Sequence, residues 1–75
     1  KFVYTIDKPS VVSLKIYDVM GNLVYTVFDG YKKIGTFETE WSGIDKNNQA
    51  VSSGVYFYKL SFDGGSVTKK MVLSK

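Results

Sequence analysis

Two glutamates are the residues of this sequence best suited to acid and base chemistry. Glu38 and Glu40 lie two positions apart, and in a β-strand side chains at that spacing point to the same face. Paired carboxylates are the arrangement that glycoside hydrolysis uses. No further polar group converges on them, however, and a strand face in contact with water explains them without a site. Because the chain has no histidine and no cysteine, it also lacks the residues of the common catalytic dyads and triads.

Two further groups of residues have compositions typical of binding sites. The segment DKNN at residues 45–48 is rich in oxygen atoms, but it lacks the acidic series and the closing glutamate of an EF-hand. We therefore interpret it as a turn. A stacking platform for sugars could be built from four aromatic residues: Tyr31, Trp41, Tyr56 and Tyr58. Since Tyr56 and Tyr58 share a strand face with Leu60 and Phe62, we predict that they and Trp41 pack in a core instead.

Length and charge restrict the classes of protein to which the chain can belong. Its 75 residues make one domain at most, and 44% hydrophobic and 16% aromatic residues are too many for a disordered segment. The net charge of +3 comes from lysine alone, whereas arginine is the preferred residue for bidentate contacts to phosphate and guanine. Because the lysines are scattered along the chain, we predict no nucleic-acid binding.

Apolar and polar residues alternate along most of the chain, which is the pattern of β-strands with one face in water. Val12, Leu14 and Ile16 share one face of the second such segment, and Gly21 follows it in a turn where glycine allows positive φ. Six segments are predicted as strands: residues 2–6, 11–17, 23–28, 36–41, 55–62 and 66–75. Short strands at this spacing predict an all-β fold, an antiparallel β-sandwich.

Four motifs occur in order: IYDVMGNLV at residues 16–24, WSGIDKNN at 41–48, SGVYFYKL at 53–60 and TKKMVLSK at 68–75. Together they resemble the C-terminal sorting domain, type A, of type IX secretion substrates. The motif positions of that family fall on Tyr17, Asp18, Gly21, Trp41, Gly43, Asp45, Gly54, Tyr56 and Tyr58. Ser42 and Asn48 stand where the family often has aspartate and glycine. Because asparagine tolerates the left-handed conformation, we expect the turn at Asn48 to form.

The resemblance implies an immunoglobulin-like sandwich of about seven short strands, related to a domain of hook-capping proteins. With six strands predicted, one short strand is then expected to lie unrecognised in residues 43–54. We expect residues 1–75 to be a single C-terminal domain cut from a larger secreted precursor, since the chain begins within an apparent strand and without an initiator methionine. N-terminal cargo domains of the same precursor would precede it.

The function that the resemblance implies is that of a secretion signal. Such domains direct a cargo protein through the outer membrane by type IX secretion, after the cargo has reached the periplasm by its own N-terminal signal. The implied partners are the outer-membrane translocon, which recognises the domain, and a sortase-like surface peptidase, which commonly removes it. The cargo then stays on the cell surface or is released. No cofactor, metal or catalytic residue is implied.

The resemblance places recognition by the translocon on the last residues of the chain: Lys69, Lys70, Met71, Val72, Leu73, Ser74 and Lys75. An apolar ending of this kind is unusual, because most domains end in polar, poorly ordered residues. We predict an edge or near-edge strand whose free backbone groups invite pairing with a partner, flanked by lysines that also limit unwanted pairing. We expect Met71, Val72 and Leu73 to pack in the core as well.

Two other functions remain open at the level of the sequence. A structural or ligand-binding immunoglobulin-like module, such as the accessory domains of secreted glycosidases, would show the same strand pattern. An enzyme would need a nucleophile with a base, or a metal cluster, and neither can be assembled from the residues present. Gene context separates the first of these from a sorting domain, because a sorting domain ends its precursor whereas an accessory module can be followed by further chain.

Overall fold

The chain folds into two antiparallel β-sheets. A computed structural model describes residues 1–75 and contains six strands: β1 (Phe2–Ile6), β2 (Ser10–Tyr17), β3 (Leu23–Lys32), β4 (Gly35–Thr39), β5 (Gly54–Phe62) and β6 (Gly65–Leu73). No segment forms a helix with the length and hydropathy of a membrane span. The predicted fold class, a small antiparallel β-sandwich, is confirmed.

The two sheets differ in size. β1 and β4 pair with each other, and the other four strands pair in the order β3-β2-β5-β6. β2 and β5 have partners on both sides, while β3 and β6 are the edges of the larger sheet. The prediction that the last strand is an edge strand is therefore confirmed. Its register with β5 runs without a shift from Gly54↔Leu73 to Phe62↔Gly65.

The core is centred on β2, as its alternation predicts. Val12, Leu14 and Ile16 are at most 1% exposed. The other buried apolar residues come from three different strands: Ile6, Val24 and Tyr56. Burying one apolar side chain of this size is worth about 1.5–3 kcal/mol. The inward residues of β2 therefore supply a large part of the stability of a domain this small.

Four predictions about strands are corrected by the structure. β6 ends at Leu73 rather than at residue 75, because its pairing with β5 ends there. β3 continues past residue 28 to Lys32, because β2 pairs with it along its whole length and this outweighs a local preference for a turn. β4 ends at Thr39 rather than at residue 41, so Trp41 reaches the core from a loop. The additional strand expected in residues 43–54 is only a single bridge between Ile44 and Ala50, because a tight turn separates these two residues.

Candidate functional site

The segment predicted to be recognised forms most of β6, and its residues point alternately to the two faces of the sheet. Met71 lies opposite Tyr56, the buried tyrosine of β5, and Lys69 lies opposite Tyr58. Directly opposed residues share a face. Met71 and Lys69 therefore point to the inside of the sandwich, and Lys70 between them points outward.

Burial follows this alternation at residues 71–73, although Lys69 on the inner face is exposed. Met71 and Leu73, on the inner face, are half-buried, whereas Val72 is 69% exposed. The expectation that all three residues pack in the core is wrong for Val72, because no second layer covers the outer face of β6. Ser74 follows the strand and is exposed.

The last residue is held against the loop that joins β4 to β5. The backbone N–H of Lys75 donates to Ser53 Oγ at 3.1 Å, and the Lys75 ammonium donates to the Val51 carbonyl. Gly43 lies close by: a Cβ at this position would meet Leu73 at 3.4 Å and Lys75 at 3.6 Å. These are ordinary van der Waals distances, so glycine at residue 43 is favoured by its φ of 75° rather than by a lack of space. The Lys75 ammonium is engaged within the domain.

Trp41 anchors the same loop to the core. Its indole N–H donates to the Ile44 carbonyl at 2.8 Å, and its ring stands edge-on to that of Tyr56 with the centroids 5.3 Å apart. The Tyr56 hydroxyl donates to the Ser52 carbonyl at 2.7 Å. The predicted core role of Trp41 and Tyr56 is confirmed, and the polar groups of both rings bind the backbone of the loop.

The four aromatic residues considered as a sugar platform do not form one surface. Tyr31 is 66% exposed on β3, which is the edge of the larger sheet opposite β6. Trp41 and Tyr56 pack against each other, as described above. Tyr58 packs on Phe2 of β1, with the ring centroids 4.7 Å apart. Three of the four therefore pack within the domain: Tyr58 joins the two sheets, and Trp41 and Tyr56 hold the loop between β4 and β5.

Two loops, after Asp18 and after Asp45, have the same hydrogen-bond pattern. Oδ1 of Asp18 accepts the N–H groups of Met20 and Asn22 at 3.0 and 2.9 Å. Oδ1 of Asp45 accepts the N–H groups of the residues two and four positions further on, at 2.8 and 3.0 Å. In each loop the aspartate N–H also donates to the carbonyl of the residue that closes the loop. Each carboxylate is thus bound by its own loop and holds the turn together.

The residue three positions after each of these aspartates has positive φ. The angle is 85° at Gly21 and 64° at Asn48, and the N–H of each donates to the aspartate carbonyl. The prediction that asparagine preserves the turn is confirmed. The positive φ predicted for Gly54 is also found, at 152°. Tyr17, the remaining motif residue, ends β2 opposite Phe57 and so lies on the outer face of the sheet.

The two glutamates lie in contact with water, as the strand pattern predicts. β4 ends between them at Thr39, and both side chains are exposed. Glu38 forms an ion pair with Lys1 at 3.1 Å. Because both partners are more than half exposed, this pair contributes little to stability.

A groove of about 700 Å³ opens between β1 and β6. The apolar residues that line it include Leu14, Trp41, Tyr58 and Leu60. Tyr4 of β1 also lines it, and burial raises the pKa of the Tyr4 phenol above its ordinary value. Nothing in the sequence predicted this groove, because its lining comes from separate segments and no local pattern marks an unfilled space between strands.

Nearly the whole chain matches one protein family. The family described as CHU_C type IX secretion signal domain matches residues 2–74, which include all six strands and both aspartate loops. A search of curated proteins and a search of solved structures each found no significant match. The chain therefore belongs to the type IX secretion signal domain family, and it acts as a signal for export through the cell envelope to the cell surface or the extracellular space.

Proposed function

We propose that the type IX translocon recognises this domain through residues 69–75, with β6 presented as a free edge. The observation that supports this most directly is the regularity of β6. It is a nine-residue edge strand, and its pairing with β5 contains no irregularity. The backbone N–H and C=O groups along its other side face no partner strand. An edge of this kind is a template for pairing with another chain.

The other edge of the larger sheet, β3, is built differently. Its register against β2 shifts at two places, and such bulges are one means by which proteins protect an edge from pairing. The Lys32 ammonium lies over the rings of Phe28 and Phe37, 4.3 and 4.4 Å from their centroids, and so links β3 to the smaller sheet. β6 has neither a register shift nor a cation–π contact that links it to the smaller sheet, which supports its role as the strand left open for a partner.

Residues of the segment have different roles in this proposal. Met71 and Leu73 hold β6 to the core from the inner face, and Lys75 fastens the end of the chain to the loop. Lys70 and Val72 point outward and are exposed. Lys70 forms no ion pair, since the single ion pair of the domain joins Lys1 and Glu38. Lys69 is also exposed and unpaired but points to the inner face, so Lys70 is the charge of the segment that is available on the outer face of β6.

We further propose that residues 1–75 are the C-terminal domain of a larger secreted precursor whose cargo precedes β1. β1 begins at Phe2, so a sortase-like peptidase that releases the cargo would act before this residue, where cleavage needs no strand of the folded sheet to open. We assign the domain itself the role of a secretion signal that catalyses no reaction. The use of Asp18 and Asp45 within their own loops supports this assignment.

The test is secretion of a folded reporter fused before residue 1. Lys70→Gln removes the exposed outward charge of β6 and is expected to reduce secretion without changing Tm, since surface substitutions contribute within about 0.5 kcal/mol. Lys59→Gln is the matched control, because Lys59 is an exposed lysine on β5, away from the free edge. It is expected to leave both secretion and Tm unchanged.

Deletion of residues 70–75 is the stronger form of the test and should leave the folded reporter in the periplasm. Because the deletion also removes Met71 and Leu73, which are half-buried, the truncated domain is checked for native β-structure by circular dichroism. Normal secretion of the truncated protein would refute recognition through this segment. It would place recognition on another part of the domain.

A further inference from the structure

The groove between β1 and β6 has an unpaired strand edge on each side. β1 pairs only with β4, and β6 pairs only with β5. The groove of about 700 Å³ is lined by residues 1–4 on one side and by residues of β6 on the other. Free edges that flank an apolar opening are the setting in which a segment of another chain adds itself as a strand.

The sandwich is closed on one side and open on the other. On the closed side, β3 runs into β4 through the two residues 33–34, and Lys32 contacts an aromatic ring on each sheet. On the open side, Val67 and Met71 line the groove from the inner face of β6. Val67 is 41% exposed and Met71 is only half-buried. An added strand that brought apolar side chains over these two residues would remove more of their surface from water.

The charged residues of the groove all have the same sign. Three lysines line it, namely Lys1, Lys69 and Lys70, and no acidic residue does. Lys1 is already paired with Glu38, whereas Lys69 and Lys70 form no ion pair. Because these two are adjacent on a strand, Lys69 points to the inner face and Lys70 to the outer face.

We propose that the groove binds an extended segment of a partner polypeptide in which two adjacent acidic residues lie between apolar ones. Added beside β6, such a strand places one acidic side chain next to Lys69 on the inner face and the other next to Lys70 on the outer face. Its apolar residues cover Val67 and Met71, which flank Lys69 on the inner face of β6. This inference names the chemistry of the partner that the proposed function assigns to β6, and it rests on that function.

A second copy of this chain does not satisfy the same requirements. Pairing of β6 with β6 of another copy would bring two pairs of lysines to one short ladder, and like charges on neighbouring strands destabilise pairing. Lysines on an edge strand also protect it from unspecific pairing. If the lysines only protect the edge, no strand should pair with β6. If they recognise an acidic strand, a peptide with acidic residues opposite them should bind.

Binding is tested on the 75-residue chain with two capped synthetic peptides. The first contains two central glutamates within alternating valine and threonine, and the second has two lysines in their place. We expect the glutamate peptide to shift the backbone amide signals of β1 and β6 and to slow hydrogen exchange along β6. It should bind at least about tenfold more tightly than the lysine peptide. Equal affinities, or shifts confined to other strands, would overturn the inference.

A charge exchange separates recognition from protection of the edge. The double variant Lys69→Glu and Lys70→Glu should prefer the lysine peptide by a similar factor. The control variant, Lys15→Glu and Lys59→Glu, changes a cross-strand pair of lysines on the outer face, away from the free edge. It should keep the preference for glutamate. If the Lys69 and Lys70 variant only associates with itself and gains no preference for lysine, the two residues merely protect the edge and the inference is wrong.

The peptide experiment and the secretion experiment are able to fail separately. Loss of secretion in Lys70→Gln without any binding of the glutamate peptide would leave the proposed function standing and refute the chemistry inferred for its partner. Binding with the expected preference, combined with normal secretion after deletion of residues 70–75, would support the groove as an acidic-strand site and refute the translocon as its partner.

Discussion

Replacement of Trp41 tests how the loop between β4 and β5 is held to the core. Trp41→Phe keeps an aromatic ring beside Tyr56 but removes the indole N–H, which donates to the Ile44 carbonyl at 2.8 Å. Trp41→Ala removes the ring as well. Comparison of the two variants separates the contribution of the hydrogen bond from that of packing.

The expected losses follow from the surroundings of the side chain. Without the indole N–H, the Ile44 carbonyl loses its partner at a cost of about 1 kcal/mol. Truncation of a core tryptophan to alanine costs about 3–5 kcal/mol, and because Trp41 is only half-buried, the lower end of this range, about 3 kcal/mol, is expected. The total free energy of unfolding for a chain of this length is about 4–11 kcal/mol, so the alanine variant loses a large part of it.

Unfolding in urea, followed by circular dichroism, measures these losses. Fluorescence is unsuitable because Trp41 is the single tryptophan of the chain. The m-value should stay constant if both variants unfold in one step as the unchanged domain does. A loss below about 1 kcal/mol for Trp41→Ala would show that the ring does not anchor the loop. Equal losses for the two variants would show that the hydrogen bond accounts for the whole effect.

Two further substitutions test the aspartate loops. Gly21→Ala places a side chain at a φ of 85° where nothing lies within 4 Å of the added Cβ, so backbone strain alone should cost about 1–2 kcal/mol in urea denaturation. Gly21→Asn should cost less, since Asn48 occupies the equivalent position of the other loop. Asp45→Ala should lower the unfolding free energy by about 1–2 kcal/mol through loss of two hydrogen bonds, whereas Asp45→Asn retains an acceptor and should lose less. Equal losses at residue 45 would contradict this account of the loop.

The features that the sequence determined by itself depend on residues that are close together in the chain. Asp18 and Asp45 close their loops with groups at most four residues away, and Asn48 was expected to hold positive φ for reasons internal to its turn. The alternation of Val12, Leu14 and Ile16 assigned the buried face of β2 in the same way. Local hydrogen bonds and the alternation of apolar and polar residues are properties of a short segment, so they can be predicted before the fold is known.

Only the tertiary structure decided where strands end and what lies between them. A strand continues as long as a neighbour satisfies its backbone groups, so the length of β3 was set by β2 and the early end of β4 left Trp41 in a loop. The Lys75 ammonium donates to the Val51 carbonyl across 24 residues of chain, and it therefore differs from the Lys70 ammonium in a way that their sequence context does not show. The groove beside β6 exists because two sheets of unequal size face each other, and an unfilled space between strands belongs to their arrangement and to no single run of residues.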